Sequence, residues 1–565
     1  MSPALLEFGP FRFDAAKRLL WREAELVPLT PKALELLCVL VEQRGQLVRK
    51  HELLQRVWPD TFVEEANLSV NVSALRKALG RQRDGKPYIE TLARRGYRFV
   101  AAVREARTAP RSLAVLPFRP LDTLGGDETL GLGMADAIIT RLSRIGRFQV
   151  RPTAAVVKYA AADPREAARE LLVDAVLDGR IQHASERVRA SVQLLSAQDG
   201  TPIWAETFDE PFTNIFAVQD SVSERVARAL AEQLTAADRD RLRRRETRSI
   251  EAQQAYLRGR YFWNKLTGPW LSKARQCFEE AVARDPEYAL AHAGLADTIT
   301  MLGLYGLVPP RDAWPRAQSA AETAVALDDT LAEAHVSLAY VRLFRDWSWH
   351  EAAAQLTRAV ELSPSSALVR LWHALFLGMN GRFEAAMAEV QRAQELDPIS
   401  LTVSTGLGFH LAFVQKHDGE IEQHRRTLEM EPDYAIGHWA LGLAYEHKQQ
   451  YEDAVGEYRK AVELSGGAPP FRGNLARALV LAGRAGEARE ILAALEREAD
   501  AGHGSPFRIA TVYEALRDLD AAIGWLERGV QERDHWMVLL KIDPMLERVR
   551  SHARFGELVE RVGSL

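Results

Sequence analysis

The sequence predicts a multidomain chain: a small α+β module, then a mixed α/β domain, then an all-α helical solenoid. Three observations predict it. The first hundred residues run through short β-type segments, three capped helices and a strand–turn–strand pattern. Residues 112–235 interleave apolar strands with amphipathic helices. From residue 252 onward, turn residues recur at a spacing of 34 positions. At 565 residues the chain is also too long for a single hydrophobic core.

Composition is globular, 47% hydrophobic and 27% charged with no low-complexity tract, so packed domains are expected. The net charge of −4 conceals an uneven distribution. Residues 66–104 hold 9 Lys and Arg against 2 Asp and Glu, whereas residues 105–565 hold 55 against 65. One basic face on one small module is the electrostatic footprint of a polyanion partner. The two cysteines, Cys38 and Cys277, are far apart and form no framework, which suits a reducing compartment. The start "MSPALLEFGP" lacks a basic segment followed by an apolar one, and no run of about 18 apolar residues occurs. A soluble cytoplasmic protein without membrane contact is therefore expected.

In the first module, "LEFGPFRFD", "RLLWRE" and "ELVPL" are β-branched or aromatic runs between turn residues and predict short strands. "LTPKALELLCVLVEQRG" opens a helix with Thr30 as N-cap and Pro31 at its first position, closed by Gly45. "VRKHELLQRVW" is a second helix, stopped by Pro59. "EEANLSVNVSALRKALG" is a third, with acidic residues in its first turn and Lys77, Gly80 and Arg81 at its end. "YIETLARRGYRFVA" reads as strand, tight turn and strand. The third helix places Leu68, Val72, Leu75 and Leu79 on one apolar stripe. Val70 falls opposite, among Ala66, Ser73, Ala74, Lys77 and Arg81. Small and basic residues facing outward suit entry into a groove that is narrow and negatively charged.

Through "LTPKALELLCVLVEQRGQLVRKHELLQRVW", "VNVSALRKALG" and "YIETLARRGYRF", residues 6–102 resemble the winged-helix DNA-binding domain of the OmpR/PhoB type, also found in CadC-like regulators. The resemblance implies a winged helix-turn-helix over residues 1–103 whose third helix enters the major groove of double-stranded DNA. Val70 can then meet a thymine methyl group. Asn67, Asn71 and Ser73 can hydrogen-bond bases or phosphates, and Arg76 and Lys77 reach the backbone. Ala66 and Ala74 stand where the family often carries arginine. The wing residues Thr91, Arg94, Arg95 and Arg98 would contact phosphate or the adjacent minor groove. The segment "WPDTFVEE" corresponds to the family's loop that contacts RNA polymerase, and a homodimer on paired half-sites is expected.

After a charged linker, "AVREARTAPRS", residues 112–235 give "SLAVLPF" as a buried strand and "GLGMADAIITRLSRI" and "DPREAARELLV" as helices. "DAVLDGRIQ", "RVRASVQLLSA" and "PIWAETF" then read as strands, and "NIFAVQDSVSERVARALAEQL" as a final helix. "LAVLPF", "VLDGRI", "VRASVQLL" and "IWAETFD" resemble the TolB N-terminal-like domain, which implies a fold more than a mechanism. From 252 to 540, the turns at Pro364, Pro398, Pro432 and Gly466 are 34 residues apart, the tetratricopeptide period. About eight repeats are expected, with a capping segment over 541–565. The unit 433–466 fits the pattern best. The unit 399–432 is degenerate, with Glu420 and His424 at normally small or aromatic sites.

Arrays of this kind line a concave groove with the first helix of each pair. Tyr340, Phe344, Leu375, Phe409, Phe413, Trp439 and Leu443 are the candidate groove residues for a protein or peptide partner. The fourteen histidines predict no metal centre: His292, His335 and His438 share one repeat position, as packing imidazoles, and no His-Glu-x-x-His or Cys-x-x-Cys occurs. "GGDETLGLGM" lacks the lysine of a phosphate loop, and no Gly-x-Ser-x-Gly elbow exists. Neither a cofactor nor an enzyme activity is expected. Two functions remain: a one-component transcriptional regulator, or an interaction scaffold whose winged helix contacts protein.

Overall fold

The computed structural model describes residues 5–22, 25–59, 63–82, 84–93, 95–105, 110–120, 128–145, 148–184, 187–211, 215–230, 235, 246–263 and 268–563. The chain divides into two compact units, Met1–Ala109 and Pro110–Leu565. Among the described residues no helix is long and apolar enough to cross a membrane.

The first unit begins with strands β1 (Leu5–Phe8), β2 (Phe11–Asp14), β3 (Leu19–Arg22) and β4 (Glu25–Leu26). Helices α1 (Pro31–Glu42), α2 (Lys50–Val57) and α3 (Glu65–Leu79) follow, with β5 (Val48–Arg49) between the first two. Thr30 caps α1, its Oγ1 accepting from the Ala33 amide at 3.3 Å. The helix ends at Glu42, and Gly45 instead uses φ +78° to bring its amide onto the Phe99 carbonyl at 2.9 Å. Strands β6 (Ile89–Leu92) and β7 (Gly96–Phe99) form the hairpin, and β7 also pairs with β5. Gly96 is required at that junction, because a Cβ there would lie 2.0 Å from the Val48 carbonyl oxygen. The four N-terminal strands form a sheet with a fifth member: β8 (Arg104–Glu105), drawn from the expected linker, pairs with β1. Phe8, Phe11, Tyr88 and Phe99 meet edge to face at 5.0–6.0 Å and join the sheet to Leu36, Leu40, Leu68 and Leu75.

The second unit opens with a mixed sheet. Strands β9 (Ser112–Val115), β11 (Gln149–Val150) and β12 (Ala175–Ala184) pair in parallel, with β10 (Arg119–Pro120) also beside β12. Strands β13 (Arg187–Ser196) and β14 (Pro202–Pro211) extend it antiparallel. Helices α4 (Glu128–Ile145), α5 (Thr153–Val156), α6 (Pro164–Glu170) and α7 (Ile215–Leu230) complete the layer. Their apolar faces share one core with the sheet, built on Leu113, Val115, Ile138, Leu142, Val192 and Val222. This is the α/β order expected from the alternating pattern.

Among the described residues eight antiparallel helix pairs follow, from Ile250–Trp263 to Leu519–Gln531. One residue explains the regular seam: Ala352, Ala386, Ala454, Ala488 and Ala522 recur at multiples of 34 and are all fully buried, so neighbouring helices approach closely. The array packs against the α/β domain, where Arg151 donates to the carbonyls of Leu171, Leu172 and Leu396. Between them lies a cavity of about 400 Å³ lined by Asp136, Tyr256, Arg260, Glu333 and Asp397 among others.

The C-terminal segment does more than cap the last pair. Trp349 Nε1 donates to the Val562 carbonyl at 3.0 Å, and Arg533 donates to the Asp346 carbonyl at 3.1 Å. Phe507, Leu526, Met537, Leu546, Leu558 and Val562 share a core with Trp314, Phe344 and Trp349. The end of the array is thereby packed onto its second and third pairs.

Candidate nucleic-acid interface

Helix α3 buries the predicted stripe completely: Leu68, Val72, Leu75 and Leu79 are at most 1% exposed. On the far side Val70 is 66% exposed, the most exposed large apolar side chain among the described residues. Asn67, Ser73 and Lys77 are exposed beside it, and Ala74 is half-buried. Val70, Ser73, Ala74 and Lys77 form one ridge, because 3.6 residues per turn align positions three and four apart. No described residue pairs with the Lys77 ammonium, so its charge faces solvent.

The other candidates are partly committed within the protein. Arg76 Nε and Nη2 donate to the Ile89 carbonyl at 3.1 and 2.8 Å, and Nη2 also donates to Thr91 Oγ1 at 2.7 Å. Arg76 was expected to reach the phosphate backbone. It instead fastens the helix to the hairpin, because its partner carbonyl lies within the reach of the side chain and a guanidinium offers a planar fork of donors. Asn71 donates to the Asn67 carbonyl one turn back at 2.9 Å, and its Oδ1 accepts from the Thr30 hydroxyl at 3.5 Å. Arg98 pairs with Glu90 across the hairpin at 2.9 Å. Arg95 is exposed at the hairpin turn with no paired carboxylate among the described residues. Arg94 lies outside the described residues, as do Asp60, Thr61 and Phe62 of the loop before α3. The structure thus joins Asn67, Val70, Ser73, Ala74 and Lys77 on one ridge, with Arg76 and Thr91 as the brace that orients the hairpin beside it.

Several segments of the chain match known families. Residues 23–99 match the model for the C-terminal domain of transcriptional regulatory proteins. Residues 348–398 and 425–502 match tetratricopeptide repeat models. The chain thus joins an OmpR/PhoB-like winged-helix segment to tetratricopeptide repeats. Residues 109–225 match the second domain of HilA/YgeH-like transcriptional regulators, and the TolB-like resemblance of that segment finds no support in these matches. Transcriptional regulator HilA of Salmonella typhimurium is 24% identical over 378 residues, covering 65% of this chain and 66% of that one. Putative adenylate cyclase 3 of Rhizobium meliloti is 34% identical over 193 residues, 33% of this chain and 32% of that one. Transcriptional activator CadC of Escherichia coli is 29% identical over 104 residues, 18% of this chain and 20% of its own length. The chain thus spans about a third of the cyclase relative and just under two thirds of HilA. The matched families are DNA-binding and repeat modules without catalytic machinery.

In the tetratricopeptide array the expected open groove is partly closed by the chain itself. Tyr340 and Phe344 are 5% and 7% exposed, and the Phe344 ring lies 6.4 Å from His535 of the C-terminal segment. Tyr340 donates its hydroxyl to the Trp372 carbonyl at 2.7 Å. Leu375, Phe409, Phe413, Trp439 and Leu443 are half-buried between neighbouring helices: Phe413 stacks on Phe383, and Trp439 stacks on Phe471. Beside them Asn474 and Arg477 contact Met545, and Arg477 bridges Glu446 and Glu514 at 2.6 and 2.9 Å. These are core contacts made by an element far away in sequence.

The repeat-position histidines also hydrogen-bond, and His335 and His438 are buried as packing imidazoles would be. Nε2 of His292, His335 and His438 lies 3.0, 2.9 and 2.8 Å from the carbonyl six residues back, at Pro286, Asp329 and Pro432. Each imidazole ties the inter-repeat turn to the following helix, and Arg370 does the same to Pro364. One convergence escaped the sequence reading: His417, Glu420 and His447 bring three ligating groups together. The signal available was a His-x-x-Glu-x-x-x-His face, completed by a residue from the next helix.

Proposed function

We propose that this protein is a DNA-binding transcriptional regulator. Helix α3 lies in the major groove with Val70, Ser73 and Lys77 facing base edges and phosphates, and the hairpin carries Arg94, Arg95 and Arg98 to the adjacent backbone. The observation that carries this reading is the exposed valine on a ridge of small and basic residues, on a helix whose other face is wholly buried. An exposed valine at the centre of that ridge offers an apolar contact to a thymine methyl group. The likeness to HilA, 24% identity over 378 residues, and the HilA/YgeH-like second domain at 109–225 support this reading. The repeat array serves protein interaction or self-association, RNA polymerase is met through the loop before α3, and two copies read paired half-sites.

An interaction scaffold is the second reading, favoured by the dense repeat array. Salt separates the two. Fragments of the gene's own upstream region are expected to shift with the full chain at low salt. Affinity should fall steeply toward moderate salt, as released counterions require. Replacing Val70, Ser73 and Lys77 together with alanine should abolish the shift. If the full chain shifts no upstream fragment at low salt, or the triple variant binds as the parent does, the scaffold account takes its place.

A further inference from the structure

The 34-residue frame lets each position be compared with its counterparts in other repeats, and one seam departs from all of them. Glu420 occupies the position held by Ala352, Ala386, Ala454, Ala488 and Ala522. His417 replaces Trp349, Phe383, Tyr451, Ala485 and Leu519, and His447 replaces Met379, Phe413, Leu481 and Ala515. His424 stands where Leu356, Val390, Tyr458, Leu492 and Leu526 stand. Four apolar repeat positions have thus become histidine or glutamate at one place, between the helices His417–Met430 and Ala435–His447.

Their geometry is convergent. His417 Nδ1 lies 3.1 Å from Glu420 Oε2, and His447 Nδ1 lies 3.1 Å from both carboxylate oxygens. The donor atoms of all three residues fall within 4.8 Å of one another. Ligand atoms about 2.0–2.1 Å from a tetrahedral ion stand roughly 3.3 Å apart, so this spacing suits a small divalent ion. The Glu420 carboxylate is fully buried, and among the described residues neither lysine nor arginine pairs with it. A buried carboxylate calls for a compensating positive charge. Its partners are the His417 and His447 imidazoles, while Lys448 pairs with Asp418 at 2.9 Å. One turn past Glu420, His424 is fully buried and neither ring nitrogen has a hydrogen-bond partner. His417 and His447 keep 28% and 18% of their side chains exposed, which gives an ion a path from solvent.

We propose that His417, Glu420 and His447 bind one divalent transition-metal ion of the zinc class, clasping two successive repeats. Two imidazoles and one carboxylate match the borderline character of zinc, and a tetrahedral ion there leaves its fourth position to water. The ion neutralises Glu420 and joins two helices at positions that the aligned repeats fill with apolar side chains.

The test uses the full chain without a polyhistidine tag, stripped with chelator and titrated with Co²⁺, then Zn²⁺. One equivalent of Co²⁺ is expected to give visible d–d absorption that one equivalent of Zn²⁺ abolishes. Zinc should also raise the melting temperature by several degrees. His417→Gln, on the half-exposed rim, is expected to weaken Co²⁺ binding at least tenfold. His292→Gln and His335→Gln should leave it unchanged. A double variant, Glu420→Ala with His424→Tyr, restores the residues of the neighbouring repeat at 454 and 458. It should fold, lose the Co²⁺ spectrum and melt at the same temperature with or without zinc. Absence of stoichiometric Co²⁺ binding, or equal binding by the double variant, overturns the proposal and leaves the three groups as a hydrogen-bonded cluster.

Discussion

Two adjacent cationic residues on α3 stand in different surroundings. Arg76 makes three hydrogen bonds to the hairpin, while Lys77 stands free on the opposite ridge. Their alanine variants should therefore fail in different ways. Lys77→Ala is expected to leave the melting temperature unchanged and to make the log–log salt dependence of DNA binding shallower by about one. Arg76→Ala removes the brace, which should cost about 1–2 kcal/mol of module stability. It should weaken binding to all DNA sequences alike while the salt slope stays near the parent's. Titrating a DNA duplex at several salt concentrations, beside thermal melts, checks both. A shallower slope for Arg76→Ala would return it to phosphate contact. The buried stripe and the exposed Val70 were legible in the sequence because both follow from helical periodicity. The role of Arg76 was not, because its partner carbonyl lies 13 residues away on a strand whose placement depends on the whole module.

At the scale of elements, the 34-residue period announced helix pairs and their close seams, since small residues at a fixed interval set how near two helices come. It was silent on what occupies the concave side. Tyr340 and Phe344 were expected to face a partner, yet they join the core that holds Met537, Leu546 and Leu558. A periodic pattern reports contacts between neighbouring repeats, whereas this closure joins residues about two hundred positions apart, as Trp349 and Val562 show. The metal-ligand seam was hidden for a related reason: its third member comes from the following helix. The closure has a measurable weight. Leu546 is fully buried in the shared core, and Leu546→Ala is expected to destabilise the second unit by about 2–5 kcal/mol, read by denaturant unfolding of the full chain. A loss under 1 kcal/mol would mean that the segment lies on the array without helping to hold it.

For the whole molecule, closure of the array buries a histidine where its last pair meets its second pair. His535 is 4% exposed, its Nε2 lies 3.2 Å from the Leu304 carbonyl, and its ring meets Trp314 at 5.5 Å. Burial holds its pKa below the ordinary 6.5, outweighing the favourable charge of Asp534 3.7 Å away and aided by the neighbouring charge of Arg508. The folded protein thus prefers the neutral imidazole, and the unfolded chain takes up a proton first as pH falls. The stability His535 contributes is complete above pH 6.5 and is lost as pH drops through its depressed folded value. Glutamine keeps a hydrogen-bonding amide at that position but does not titrate. At pH 7.5, His535→Gln is expected to be about 1–3 kcal/mol less stable than the parent, through lost ring packing and an imperfect hydrogen bond. Between pH 7 and 5 the difference should narrow, because only the parent carries the protonation penalty. Comparing the two proteins at each pH cancels every other group that titrates in that range. A gap that stays constant or widens on acidification would show that His535 is protonated within the fold, and that acid leaves this joint intact.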